Sequence, residues 1–174
     1  VTKSSDRRAA IIELLVEHVL AEGLSASSLR PLAKAAQTSD RMLLYYFKDK
    51  AEIVAAVLER ISSRMIDLIE SQTSGAPEPV DQVRAKLIAI SLSDQMWPYA
   101  RIWLEVASLA ARGDPLYRAV GGAIGRGFLA WGEGQIASET PEQRARDAAR
   151  LLAEIEGMIL LKSLGMDDVC ALAQ

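Results

Sequence analysis

Arg41, Tyr45 and Lys48 recur at intervals of four and three residues within the run TSDRMLLYYFKDKAEIV, residues 38–54, and Met42 and Tyr46 lie beside them. On a helix this spacing gathers a guanidinium, phenols and an ammonium on one side. Such groups suit base edges and phosphate oxygens, where bidentate and charge-assisted hydrogen bonds form. Leu43 and Phe47, also four apart, share the other side and are the expected anchors into a core.

The elements that must position these groups are legible upstream. Ile12, Leu15, Val16, Val19 and Leu20 form one helical stripe, which Ser4 or Ser5 can cap and Gly23 can close. A short second helix follows from Ser28 to about Ala36, with Pro31 tolerated only in its first turn. A brief turn through Gln37 and Thr38 leads to Ser39, a good N-cap for a third helix ending near Phe47. Two short helices joined by a tight turn make a helix-turn-helix arrangement. Lys50 opens a long fourth helix to about Ser71.

Beyond it, TSGAPEP (73–79) reads as a linker by its Gly and Pro content. Further helices are expected over Val80–Asp94, Pro98–Arg112, Pro115–Ile136, Pro141–Leu164 and Asp167–Ala173. Asp114 before Pro115 and Thr140 before Pro141 are N-caps, the latter a capping box with Gln143. Strand-like alternation is absent, so the fold class is all-α.

Length and composition agree with this. The chain has 174 residues, half of them hydrophobic, enough for one or two small domains. Net charge is −3, but residues 1–50 carry eight Lys and Arg against six Asp and Glu, whereas the remainder carries twelve against seventeen. Local charge sets the phosphate-binding field, so the less acidic head suits a nucleic acid. The lone Cys170 cannot form an intramolecular disulfide, and no apolar run spans a bilayer or resembles a signal peptide core. A cytoplasmic location without membrane association is expected. Val1 in first place points to residues preceding this numbering.

Residues 7–58 resemble the DNA-binding domain of the TetR family of transcriptional regulators. The run GLSASSLRPLAKAAQTSDRMLLYYFKDK (23–50) follows that family's pattern without a gap. The resemblance implies an N-terminal three-helix helix-turn-helix DNA-binding domain, residues 1–49, followed by a larger helical ligand-binding and dimerisation domain, residues 50–174. It implies a phosphate contact from Ser28, a base contact from Arg30, and base reading by Asp40, Arg41 and Met42 beside the Ser39 cap. It further implies packing of Tyr45 on bases or thymine methyls, and phosphate contacts from Tyr46 and Lys50. Three positions depart from the pattern. Leu44 stands where many members have a phosphate-contacting Tyr, Gln37 replaces the usual turn Gly, and Asp40 brings a carboxylate towards the duplex.

The same resemblance implies a repressor that binds palindromic operator DNA as a homodimer and is released by a small apolar effector. Six of the nine aromatics lie between Trp97 and Trp131. Trp97, Tyr99, Trp103, Tyr117, Phe128 and Trp131, with Met96, can line an apolar pocket or form plain core, with Glu105, Arg118 or Arg126 at a polar end. The apolar surplus of the 141–164 helix, notably Leu151, Leu152, Ile155 and Ile159, points to a dimer interface. The glycines of GGAIGRGFLAWGEG resemble a dinucleotide fingerprint in letters only, since neither a strand nor a βαβ unit surrounds them.

An enzymatic reading is weak. The single His18 has no metal-ligand spacing around it, and Glu154 and Glu156 point to different helix faces. No metal, cofactor or catalytic residue is expected. The rival reading is a helical dimeric small-molecule-binding or adaptor protein that has lost operator recognition.

Overall fold

The computed structural model describes residues 3–73 and 75–173, with the side chains of Lys3, Ser4 and Ala26 outside that description. Its helices are α1 (Lys3–Glu22), α2 (Leu29–Ala35), α3 (Asp40–Tyr46), α4 (Lys50–Glu70), α5 (Val80–Ser91), α6 (Trp97–Ala111), α7 (Pro115–Gln135), α8 (Pro141–Ser163) and α9 (Asp167–Leu172). A 3-10 turn, Leu24–Ala26, links α1 to α2. The helix starts are close to expectation because their caps form. The Asp114 carboxylate accepts from the backbone N–H groups of Leu116 and Tyr117 at 2.9 and 3.3 Å. Thr140 Oγ1 accepts from the Gln143 N–H at 3.1 Å, while the Gln143 side chain turns forward to Asp147 instead of closing the box. At the N-terminus the helix is already running at Lys3, so Ser5 lies inside α1 and does not precede it.

One element was not foreseen. β1 (Glu78–Pro79) and β2 (Ile136–Ala137) pair in parallel, Glu78 against Ile136 and Pro79 against Ala137. Two residues are too few to show alternation, so periodicity could not reveal them.

The chain forms two compact units. The first runs to Arg64 and takes in Arg101–Gly121; the second comprises Met65–Ala100 and the chain from Gly122 onward. In the first, α1 packs on α2 and α2 on α3. Ile11, Leu15, Val16 and Val19 of α1, Leu32 and Ala33 of α2, and Ile53, Val54, Val57, Leu58 and Ile61 of α4 are buried. The α1 stripe is rotated from the expected one: Ile11 is buried and Ile12 only half-buried. Both choices satisfy helical spacing, and only the neighbouring helices distinguish them.

In the second unit Ile69, Val83, Leu87, Ile90, Met96, Ile136, Ala148 and Leu151 form the core, with Tyr99, Phe128, Trp131 and Ile155 packed against it. Arg84 pairs with Glu154 and donates to the Ala173 carbonyl at 2.8 Å, tying the end of the chain to α5 and α8. The Lys162 ammonium donates to the Leu92 carbonyl at the end of α5 and lies 5.0 Å from the Trp97 ring centroid. Among the described residues, no helix is long and apolar enough to cross a membrane.

Candidate nucleic-acid interface

The third helix is short, and its two ends determine which side faces out. Ser39 has extended backbone, and its Oγ accepts from the Met42 N–H at 3.3 Å, satisfying a donor that the first turn leaves open. Leu43 and Phe47 are buried, four residues apart. With that side held inward, Asp40, Arg41, Met42, Leu44 and Tyr45 are left exposed. Tyr46 is half-buried and meets Tyr45 edge-on, with ring centroids 5.2 Å apart.

The exit from α3 is held by a motif that sequence reading missed. Asp49 Oδ1 accepts from the Glu52 N–H at 2.9 Å, and Glu52 Oε2 accepts from the Lys48 N–H at 2.7 Å. This is a variant of the capping box at the start of α4, in which Glu52 reaches the residue before the Asp49 cap, and its signal was the three-residue spacing of Asp49 and Glu52. Arg8 of α1 adds a second tie. Its guanidinium donates to Glu52 Oε1 at 2.9 Å and lies 4.6 Å from the centroid of the Phe47 ring. The Lys48 N–H and the Arg8 guanidinium together hold the Glu52 carboxyl below the usual carboxylate range.

The turn between α2 and α3 adopts the conformation that its residue type resists. Gln37 has φ +52°, in the left-handed region usually given to glycine. Ser28 is exposed at the N-cap of α2, but its hydroxyl does not cap that helix. Arg30 is exposed, as are Lys48 and Lys50 at the α3–α4 junction. An open groove beside α2 is lined by His18, Glu22, Arg30, Lys34, Thr38 and Asp40. Among the described residues, no three His, Cys, Asp or Glu side chains gather where they could hold a metal ion.

Two further ties connect α1 with later helices of the first unit. Glu13 accepts from Arg60 at 2.6 Å and pairs with Arg64, which also donates to Glu17 at 2.6 Å. In α6, Arg101 donates to the Leu20 carbonyl at 3.2 Å, and Glu105 Oε2 accepts from the Leu24 N–H at 2.8 Å.

The last contact involves a residue expected at the polar end of the aromatic cluster. Glu105 is committed to the Gly23–Leu24 turn, because a buried backbone N–H without an intrahelical partner is a strong demand on a nearby carboxylate. Trp103 and Tyr117 share its unit, and Tyr117 is buried. Burial, with the fields of Asp114 and Glu105, pushes the Tyr117 phenol upward. Met96, Trp97, Tyr99, Phe128 and Trp131 fall in the second unit, where Met96 is core and Trp131 Nε1 donates to Glu70 at 3.0 Å. The α8 residues expected at a dimer interface are distributed over its sides. Leu151 and Ile159 are buried within their own chain, and Leu152 and Ile155 are half-buried. Leu160 on the same helix and Leu164 at its C-cap are exposed. A helix with apolar residues on two sides does not declare which one its own subunit covers.

A family model described as bacterial regulatory proteins, tetR family, matches residues 11–57, which hold all of α2 and α3. Residues 11–57 therefore carry the TetR-family DNA-binding head. Similarity beyond the matched head is weaker but extends over most of the chain. The HTH-type transcriptional regulator BetI of Escherichia coli is 24% identical over 164 residues, covering 92% of this chain and 84% of the relative. A Rhodococcus sp. structure described as a TetR-family transcriptional regulator superposes with a TM-score of 0.74 at 18% identity, over 93% of this chain and 89% of that one. A Saccharomonospora viridis transcriptional regulator solved in complex with choline gives a TM-score of 0.67 at 18% identity, over 90% of this chain and 85% of that one. These two structures share the fold. A TetR-family regulator is a DNA-binding protein and not an enzyme.

Proposed function

We propose that this TetR-family regulator is a repressor that binds a palindromic operator as a homodimer and is released by a small apolar effector. The observation that carries the reading is the sidedness of α3. Leu43 and Phe47 are buried while Arg41 and Tyr45 stand outward from a capped N-terminus. A recognition helix requires that arrangement, since its N-terminal residues must reach base edges. Arg30, Asp40, Arg41, Met42 and Tyr45 are the base-facing set. Ser28, Tyr46 and Lys50 contact phosphate, and Ser39 holds the helix start.

The homodimer forms through the apolar surface left at the end of the chain. Leu160, Leu164, Met166 and Leu172 are exposed on and after α8. Pairing these surfaces across a twofold axis sets two heads on half-sites roughly 34 Å apart or a multiple of it. The effector enters the second unit among Met96, Trp97, Tyr99, Phe128 and Trp131, and it works by changing head spacing. The choline found in the Saccharomonospora relative is a small cation and not an apolar molecule, and aromatic faces attract such a cation. The protein acts in the cytoplasm, where its operator lies.

The test is selection of duplexes from a random-sequence pool with the full chain. A palindromic consensus supports both operator binding and the twofold dimer. Absence of enrichment at low salt would overturn this reading in favour of an adaptor built on the same scaffold.

A further inference from the structure

Lys162, in the last turn of α8, holds its ammonium 5.0 Å from the centroid of the Trp97 ring and donates to the Leu92 carbonyl at the C-cap of α5. All three residues belong to the second unit, and Lys162 and Trp97 are half-buried. Other half-buried cations are matched by carboxylates. Arg84 pairs with Glu154, and Arg8, which also lies over a ring, pairs with Glu52. Among the described residues, no carboxylate pairs with Lys162.

A half-buried ammonium without a counter-ion needs other compensation for the water it has lost. Here two neutral groups supply it. The last carbonyls of a helix lack intrahelical partners and carry the negative end of its dipole, and a Trp ring presents its negative face. The same two groups would hold a small cation from solution, with one restriction. The Leu92 carbonyl accepts a hydrogen bond, which a primary ammonium gives and a quaternary one, having no N–H, does not. We infer that the Trp97 face and the Leu92 carbonyl form a site for a primary ammonium ligand, which Lys162 fills from within until such a ligand displaces it. Through these two contacts Lys162 ties α8 to the end of α5 and the start of α6, so its displacement loosens that junction. The inference rests on the effector reading, to which it adds the ligand's chemical class and the group that competes with it.

The experiment titrates the full chain and its Lys162→Ala variant with n-propylammonium chloride, which supplies the atoms that the substitution deletes. Ligand-observed NMR reads binding, and potassium chloride at equal ionic strength is the control. The variant should bind n-propylammonium roughly ten-fold more tightly than the parent, because the tethered ammonium no longer competes. Tetramethylammonium should bind the variant several-fold more weakly than n-propylammonium, for want of an N–H to Leu92. Adding Trp97→Leu to the variant should weaken n-propylammonium by roughly two- to five-fold, the worth of a partly exposed cation–π contact. Three results would overturn the inference: equal affinity of parent and variant, tetramethylammonium bound as tightly as n-propylammonium, or no loss on adding Trp97→Leu. Lys162→Ser, titrated with ethylammonium, makes the same comparison should Lys162→Ala not fold. The duplexes recovered from the random pool separate this site from the effector reading. Their release by n-propylammonium at lower concentration from the variant than from the parent supports both. Binding of the amine without release supports the ammonium site and overturns its role as the effector's.

Discussion

Glu105 in α6 accepts a hydrogen bond from the backbone N–H of Leu24 at 2.8 Å, joining residues 81 positions apart. Leu24 is buried and opens the 3-10 turn that leads into α2. Gly23 before it has φ +80°, and a Cβ there would lie 2.7 Å from Glu105 Oε1. The backbone conformation therefore requires glycine, and a Cβ would in addition push the Glu105 carboxylate from its place. Glu105→Ala should cost about 1–3 kcal/mol by leaving a buried donor unpaired, and Gly23→Ala a similar amount through strain and collision. Glu105→Gln retains an acceptor and should lose less. Urea midpoints of the three variants check this; a wild-type midpoint for Glu105→Ala would rule the contact out as a support of the turn.

The clamp between α1 and α4 should make stability fall in acid. Partial burial pushes the Glu13 carboxyl upward, but hydrogen bonds and fields from Arg60 and Arg64 outweigh it and hold the carboxyl low. A folded-state value below the unfolded one stabilises above the unfolded value, roughly 4.3, and that gain is lost as pH falls through the folded value. Glu13→Gln should therefore flatten the stability decline below about pH 4.3. At neutral pH it should cost less than about 1 kcal/mol, since the pair is solvent-screened. Denaturation midpoints from pH 3 to 7 would contradict the sign if the variant showed the steeper acid decline.

Arg41 and Lys50 should separate base reading from phosphate holding. Arg41→Ala should cost about 1–3 kcal/mol on the selected duplex and blur base preference. Lys50→Ala should weaken binding to all sequences and lower the salt slope by about one. Equal losses on selected and random duplexes for Arg41→Ala would argue against its assigned role.

Gln37 carries the strain of a left-handed backbone at φ +52°. Gln37→Gly should relieve it and stabilise the protein by up to about 1 kcal/mol, the left-handed penalty less the added freedom of the unfolded glycine. A thermal midpoint that drops instead would show that the Gln37 side chain contributes more than its backbone costs.

If a second copy covers the end of α8, a charge there should separate the dimer. Leu164 is 65% exposed, so Leu164→Glu should leave a single chain folded. Buried in an interface without a partner, the carboxylate should weaken association by roughly 3–5 kcal/mol. Sedimentation equilibrium would read this directly, and an unchanged association constant would place the interface elsewhere.

Local chemistry explains what could be read without coordinates. Ser39, Asp114 and Thr140 cap helices because their oxygens need only reach a backbone N–H two or three residues ahead. The outward display of Arg41 and Tyr45 was legible for the same reason, since Leu43 and Phe47 on one short helix leave few ways to turn it. The Asp49–Glu52 cap was equally local and was overlooked, but its Arg8 partner, 44 residues from Glu52, was not legible from spacing.

From its own letters the chain specified the helices, most of their ends, and a third helix with a cationic and phenolic side turned outward. Tertiary structure decided which of two equivalent stripes α1 and α8 bury, where Glu105 spends its charge, and how the aromatics of 97–131 divide between two units. Helical periodicity repeats every few residues and is carried by neighbours in the chain. The choice among faces of similar apolarity depends on distant surfaces that meet only on folding, and no spacing encodes that meeting.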